Sequence, residues 1–244
     1  MANTQTHAEL GLNRTGVATS PRLTEDMLEG TSEFTPSSIG DDRQIGLERG
    51  DYAREADPLG SVPPPLTGKG MLKTGATALK GESPTQLIDK LGERLAFERT
   101  GTRLYEALVS KHDALGGFEG GPSREDLVRI LRDEHAHFQM LKQALEKMGA
   151  DPTVMTPSAD IHATMTKGVL EIAVEPRTSL AQSLEAALLA ELADNDCWMA
   201  LHELALQAGE KDLAEAFSMA LSEENLHLTM VRTWLAAAQG RTRA

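Results

Sequence analysis

Residues 123–149 read SREDLVRILRDEHAHFQMLKQALEKMG. Ser123 followed by Asp126 is the signature of a helix N-terminal capping box, and Gly149 is the residue type that ends a helix. Between them, alternating steps of four and three pick out Leu127, Leu131, Glu134, Phe138, Leu141, Leu145 and Met148. These residues share one helix face, apolar apart from a single carboxylate at its middle. His137 follows Glu134 by three residues, which sets imidazole and carboxylate side by side.

Working outward, three further segments have the same texture. Ser83-Pro84-Thr85-Gln86 opens a helix expected to reach about Ala114, with the inward stripe Leu91, Leu95, Glu98, Thr102, Tyr105, Val109. Ser179 with Gln182 opens another that stops at Gly209, with Leu184, Leu188, Glu191, Asn195, Trp198 and His202 inward. The last runs from about Lys211 to Ala238 through Leu213, Phe217, Ala220, Glu224, His227, Val231 and Trp234. Glycines at 116, 117, 120 and 121 mark a short turn between the first two, so the helices pair as two hairpins. Residues 150–178 join the hairpins, with three prolines around the apolar stretch from Ile161 to Val174. A connection this long can carry the chain from one end of a bundle to the other, which lets the second and third helices run parallel.

Each stripe carries one Glu near its middle: Glu98, Glu134, Glu191 and Glu224. An ionised carboxylate in an apolar interior costs several kcal/mol (about that per ion) unless compensated. No Lys or Arg lies on the four stripes, so the expected compensation is two divalent metal ions, with His137 and His227 as neutral ligands. With 23 Glu and 7 His in the chain, chance places a His three residues after a Glu ~0.7 times. The register is more telling than the spacing. Each Glu-x-x-His begins on a core stripe, and each is preceded by a lone stripe Glu on the partner helix. Tyr105 follows Glu98 by seven residues and Trp198 follows Glu191 by seven, so the hairpins read as copies of one unit.

The remainder of the chain narrows the class. Its 244 residues carry a formal charge of −13, with 24 basic and 37 acidic side chains, which gives neither nucleic acid nor an anionic membrane a basic surface. Cys197 is the sole cysteine, too few for a disulfide or a four-thiolate cluster, and a cytoplasmic location is expected. The start lacks the charged and apolar regions of a secretion signal, and no stretch approaches eighteen apolar residues. Residues 1–82 hold 11 Gly and 6 Pro and only two aromatic residues, so they are expected to form a largely disordered tail before a bundle domain at 83–244. His7, His112 and His162 fall at termini or loops and are read as ordinary side chains, as are His135 and His202; Cys197 reads as a small packing residue.

The Glu and Glu-x-x-His pattern on two hairpins resembles the ferritin-like di-metal carboxylate superfamily, which includes ferritins, bacterioferritins, rubrerythrins and manganese catalases. The resemblance covers residues 84–238 and implies an all-α ferritin-like four-helix bundle. It also implies Glu98 and Glu191 as terminal metal ligands, Glu134 and Glu224 as bridging ones, His137 and His227 as imidazole ligands, and Tyr105 as the catalytic tyrosine beside the site. Asp194, one turn beyond Glu191, resembles the extra acidic ligand of rubrerythrins. The implied cofactor is a pair of iron ions, or alternatively manganese. The implied activity is Fe(II) oxidation or reduction of peroxide or oxygen, with an external electron donor because one cysteine cannot build a rubrerythrin-type iron domain. The expected assembly is a homo-oligomer, a dimer rather than a cage. A manganese-catalase-like disproportionation and a non-catalytic adaptor recruited through its tail are the alternatives.

Overall fold

In the computed structural model, residues 20–33, 42–64 and 84–240 are described. Every regular element among them is helical: α1 (Pro21–Ser32), α2 (Asp42–Glu55), α3 (Pro84–Leu115), α4 (Arg124–Met148), α5 (Pro157–Val174), α6 (Leu180–Gln207) and α7 (Lys211–Ala238). None is long and apolar enough to cross a membrane. The chain divides into two compact units, His7–Pro58, and Met1–Thr6 with Leu59–Ala244.

The first unit contains α1 and α2, which fall within the stretch expected to be largely disordered. Pro21 sits in the first turn of α1, where its missing N–H costs nothing. No residue of α1 is buried, and Leu23, Met27 and Leu28 are exposed along it, as are Ile45, Leu47 and Tyr52 on α2. The tail residues 1–19, 34–41 and 65–83 lie outside the described residues.

In the second unit, local chemistry sets the helix ends. The Ser123 side chain accepts the Asp126 N–H while Asp126 accepts the Ser123 N–H, and Ser179 and Gln182 repeat the exchange at α6. Gly149 closes α4 in the left-handed conformation, at φ 79°. The expected cap at Ser83 lies outside the described residues, and α3 is helical from Pro84. The connection between the hairpins contains a helix of its own, α5, capped by the Thr156 side chain on the Ala159 N–H. Pro157 begins it and Pro176 follows its end, so the prolines frame a helix that periodicity alone left as an apolar stretch.

Helices α3 and α4 pack together, as do α6 and α7; α3 also meets α6, α4 meets α7, and α5 lies against α3 and α6. Two apolar clusters fill the interior. One joins the start of α3 (Leu87, Leu91, Leu95), the end of α4 (Leu141, Leu145, Met148), the end of α6 (Trp198, Leu201) and the start of α7 (Phe217). The other joins the opposite halves, through Leu104, Tyr105 and Leu108, Leu127 and Ile130, Leu184 and Ala187, and Val231 and Trp234. Because the ends of α4 and α6 share a cluster, these two helices point the same way, and α5 makes the return trip that this requires.

The crossover is anchored where α3 has a glycine. Thr156 Oγ1 donates to the Asp89 carbonyl at 3.0 Å, and Ser158 Oγ and N–H both bond the Asp89 carboxylate. A Cβ on Gly92 would lie 2.5 Å from Thr156 Cγ2 and 2.7 Å from its Oγ1. At a free helical site Gly→Ala stabilises by about 1 kcal/mol. Here Gly92→Ala is expected to destabilise by about 1–3 kcal/mol through overpacking, measured as a lower urea midpoint than wild type.

Candidate metal centre

Between the two apolar clusters lies a layer of buried charge. Glu98 of α3, Glu134 of α4, and Glu191 and Asp194 of α6 are all buried, as are Glu224 and His227 of α7 and His137 of α4. The structure therefore brings all six sequence-nominated ligands to one level. Ligand atoms fall into overlapping groups, the members of each within 4.8 Å of one another: Glu134, Glu191, Glu224 and His227; Glu98, His137 and Glu224; Glu98, Glu134, Asp194 and Glu224. Glu224 belongs to all three groups and Glu134 to two.

The imidazoles meet the carboxylates through Nδ1. His137 Nδ1 lies 2.8 Å from Glu224 Oε1 and 3.7 Å from Glu98 Oε2; His227 Nδ1 lies 3.2 Å from Glu224 Oε2 and 3.9 Å from Glu134 Oε1. Their outer nitrogens are held by acidic residues that immediately precede the nominated glutamates. His137 Nε2 is 2.7 Å from Glu223, and His227 Nε2 is 3.2 Å from Asp133. Sequence reasoning missed both partners, although Asp133-Glu134-x-x-His137 and Glu223-Glu224-x-x-His227 repeat the same acidic doublet.

Other side chains fix the carboxylates. Trp198 Nε1 and Arg94 Nη2 both donate to Glu98 Oε1 at 3.0 Å, and the Tyr105 hydroxyl donates to Glu191 Oε1. Asn195 Nδ2 donates to the carbonyls of Glu191 and Glu224, joining α6 to α7 at this level. Arg94 corrects the expectation that no inward cation exists. It is buried, pairs with Asp194 as well as Glu98, and stacks over the Phe97 ring at 4.2 Å. Asp194 is thus tied to a guanidinium.

Compared with known proteins, the chain matches no family model, no curated protein and no solved structure.

The geometry itself tests whether metal ions fit. Glu98 Oε2, Glu134 Oε2 and Glu191 Oε2 are buried with no hydrogen-bond partner among the described residues. Each such atom costs about 1–3 kcal/mol, more when charged. Five buried carboxylates against one guanidinium leave four negative charges, the number that two divalent cations carry. Gly101 supplies the room: a Cβ there would lie 2.0 Å from Glu134 Oε2. These buried carboxylate and imidazole groups could hold metal ions.

Without metal, protons do part of this work. Burial and the charges of Glu224 and Glu98 push the Glu134 carboxyl well above its usual range, and burial with the Glu224 charge pushes Glu191 up to about 8. Burial opposes charging of the imidazoles, but the surrounding carboxylates outweigh it, raising His137 to about 11 and His227 to about 10. Burial would also raise Glu224, yet its two imidazolium partners hold it below the usual carboxylate range. A cation entering the site would therefore compete with protons on His137, His227 and Glu191. Divalent-ion loading is expected to release protons and to tighten as pH rises from 6 to 8, read by calorimetry in buffers of different ionisation enthalpy; pH-independent loading with no proton release would contradict this. Gly101→Ala, which drives Glu134 from its seat, is expected to weaken loading ~10–100-fold while the helix content by circular dichroism is kept.

Proposed function

We propose that the chain is a ferritin-like di-metal carboxylate protein, a four-helix bundle that oxidises Fe(II) or reduces peroxide or oxygen at a carboxylate-bridged dinuclear iron site. The observation that supports this reading is Glu224, which belongs both to the ligand group with Glu98 and His137 and to the group with Glu134, Glu191 and His227. In it, Glu98 and His137 hold one ion, Glu191 and His227 the other, and Glu134 and Glu224 lie between the two. Bound iron supplies the one-electron steps that side chains lack, and two adjacent ions make a two-electron reduction of peroxide accessible.

The chain's own residues prepare the site. Trp198 and Arg94 occupy one oxygen of Glu98 and Tyr105 occupies one oxygen of Glu191, so each carboxylate turns its free Oε2 inward. Glu223 and Asp133 keep a proton on the outer nitrogens of His137 and His227, which leaves Nδ1 as the donor atom. Burial, followed by the charge of Glu191, lifts the Tyr105 phenol well above its usual range. Tyr105 therefore holds its proton at Oη and keeps its hydrogen bond to Glu191 beside the site. The apolar clusters above and below the layer exclude bulk water, which strengthens every charge interaction within it. With a lone cysteine in the sequence, the reducing equivalents come from another molecule.

Anaerobic Fe(II) titration is expected to give two equivalents per chain, oxidised on addition of oxygen or peroxide. Glu134→Gln and Glu224→Gln are each expected to lose both ions, whereas removal of residues 1–58 leaves the stoichiometry unchanged. Two ions retained by both variants would overturn the assignment. Manganese in protein taken from its host, with peroxide consumed in the absence of a reductant, would replace iron oxidation by disproportionation, and no stoichiometric metal at all would favour an adaptor.

A further inference from the structure

A second group of buried side chains lies where the crossover helix α5 meets α3 and α6, and the acidic layer makes no use of it. Glu93 precedes Arg94, so its side chain leaves α3 about 100° around the helix from the guanidinium that serves the layer. From α5, His162 brings Nδ1 to 3.0 Å from Glu93 Oε1. From α6, the thiol of Cys197 lies 3.7 Å from the same oxygen. One potential ligand atom from each of the three lies within 4.8 Å of the others. Lys90 Nζ approaches the second Glu93 oxygen at 2.5 Å, from a half-exposed position. The sequence reading placed His162 in a loop with no role, whereas the side chain is on a helix and 5% exposed.

Hydrogen bonding leaves one nitrogen of this group unsatisfied. His162 Nε2 is buried with no hydrogen-bond partner among the described residues. The thiol is a weak donor set against a carboxylate oxygen that already has the imidazole. Three different ligand types converge from three helices instead of one acidic patch on one surface.

We propose that Glu93, His162 and Cys197 form a mononuclear site for a borderline-soft divalent cation of the zinc class, separate from the carboxylate layer and independent of what that layer does. Carboxylate oxygen, imidazole nitrogen and thiolate sulfur are the donor set such a cation prefers, and hard magnesium or calcium ions disfavour sulfur. The carboxylate and thiolate each bring a negative charge to the cation, while Lys90 pairs with the second Glu93 oxygen. Three protein ligands leave a fourth position for water, on the side where Cys197 is only half-buried. The ion stitches α5 to the two helices that carry Arg94 and Asp194.

Because Cys197 is the sole cysteine, thiolate-to-cobalt charge transfer in the near ultraviolet reports on this site alone. Full-length protein titrated anaerobically with Co2+ is expected to develop this absorption, abolished by excess Zn2+, and in Glu224→Gln, where the acidic layer no longer takes up ions, the absorption saturates at one equivalent. Cys197→Ser removes it. Glu93→Gln and His162→Gln weaken the affinity ~10–100-fold, and Glu224→Gln, which disables the acidic layer, leaves the band in place. Circular dichroism establishes that each variant is folded. Absence of the band in the folded wild-type chain overturns the proposal, as does a band unchanged in both Glu93→Gln and His162→Gln, since the thiol would then be binding cobalt by itself.

Discussion

Buried negative charge at mid-height is the constraint around which the larger unit is arranged. Glu98, Glu134, Glu191, Asp194 and Glu224 are removed from water between two apolar clusters, where one carboxylate alone would cost several kcal/mol (about that per ion). Every neighbouring feature reduces this penalty in some way. Arg94 neutralises one charge, Trp198 and Tyr105 each hydrogen-bond an oxygen, and the two imidazoles take up protons while the site is metal-free. Packing alone would favour replacing the whole layer with leucine, whereas the acids make a layer that could hold metal ions.

The crossover makes this layer possible. Two Glu-x-x-His segments must enter from α4 and α7 while the lone glutamates enter from α3 and α6, and the sharing of apolar clusters shows α4 and α6 pointing the same way. Only a long connection permits that between consecutive hairpins. Instead of trailing over the surface, it folds as α5 and is fixed at one end by Thr156 and Ser158 on Asp89. At the other, buried Lys111 donates to the carbonyls of Glu175 and Thr178.

Much of this was legible in the sequence, for a physical reason. The four long helices announce themselves through the 3.6-residue period, the capping boxes at Ser123 and Ser179 and the glycine stops, all of which are local. The four glutamates were visible because a charge on an apolar stripe violates the pattern. Arg94 escapes a stripe threaded from Leu91 through Leu95 to Glu98, although the step from Leu91 through Arg94 to Glu98 is equally helical. Asp133 and Glu223 lie one position off the stripe, and only their repetition before each Glu-x-x-His could have marked them. His162 and Gly101 left no periodic trace: one acts by pairing across helices, the other by the absence of a methyl group beside Glu134.

The contacts of His137 and His227 with Glu223 and Asp133 join interior to exterior. Side chains of these two acids are 53% and 33% exposed, whereas the rings they touch are almost fully enclosed. Each imidazole is therefore a conduit one residue thick, with one nitrogen facing the layer and the other facing an acid wetted by solvent. A proton leaving the layer would thus have a route from ring to wetted acid that asks no helix to move aside.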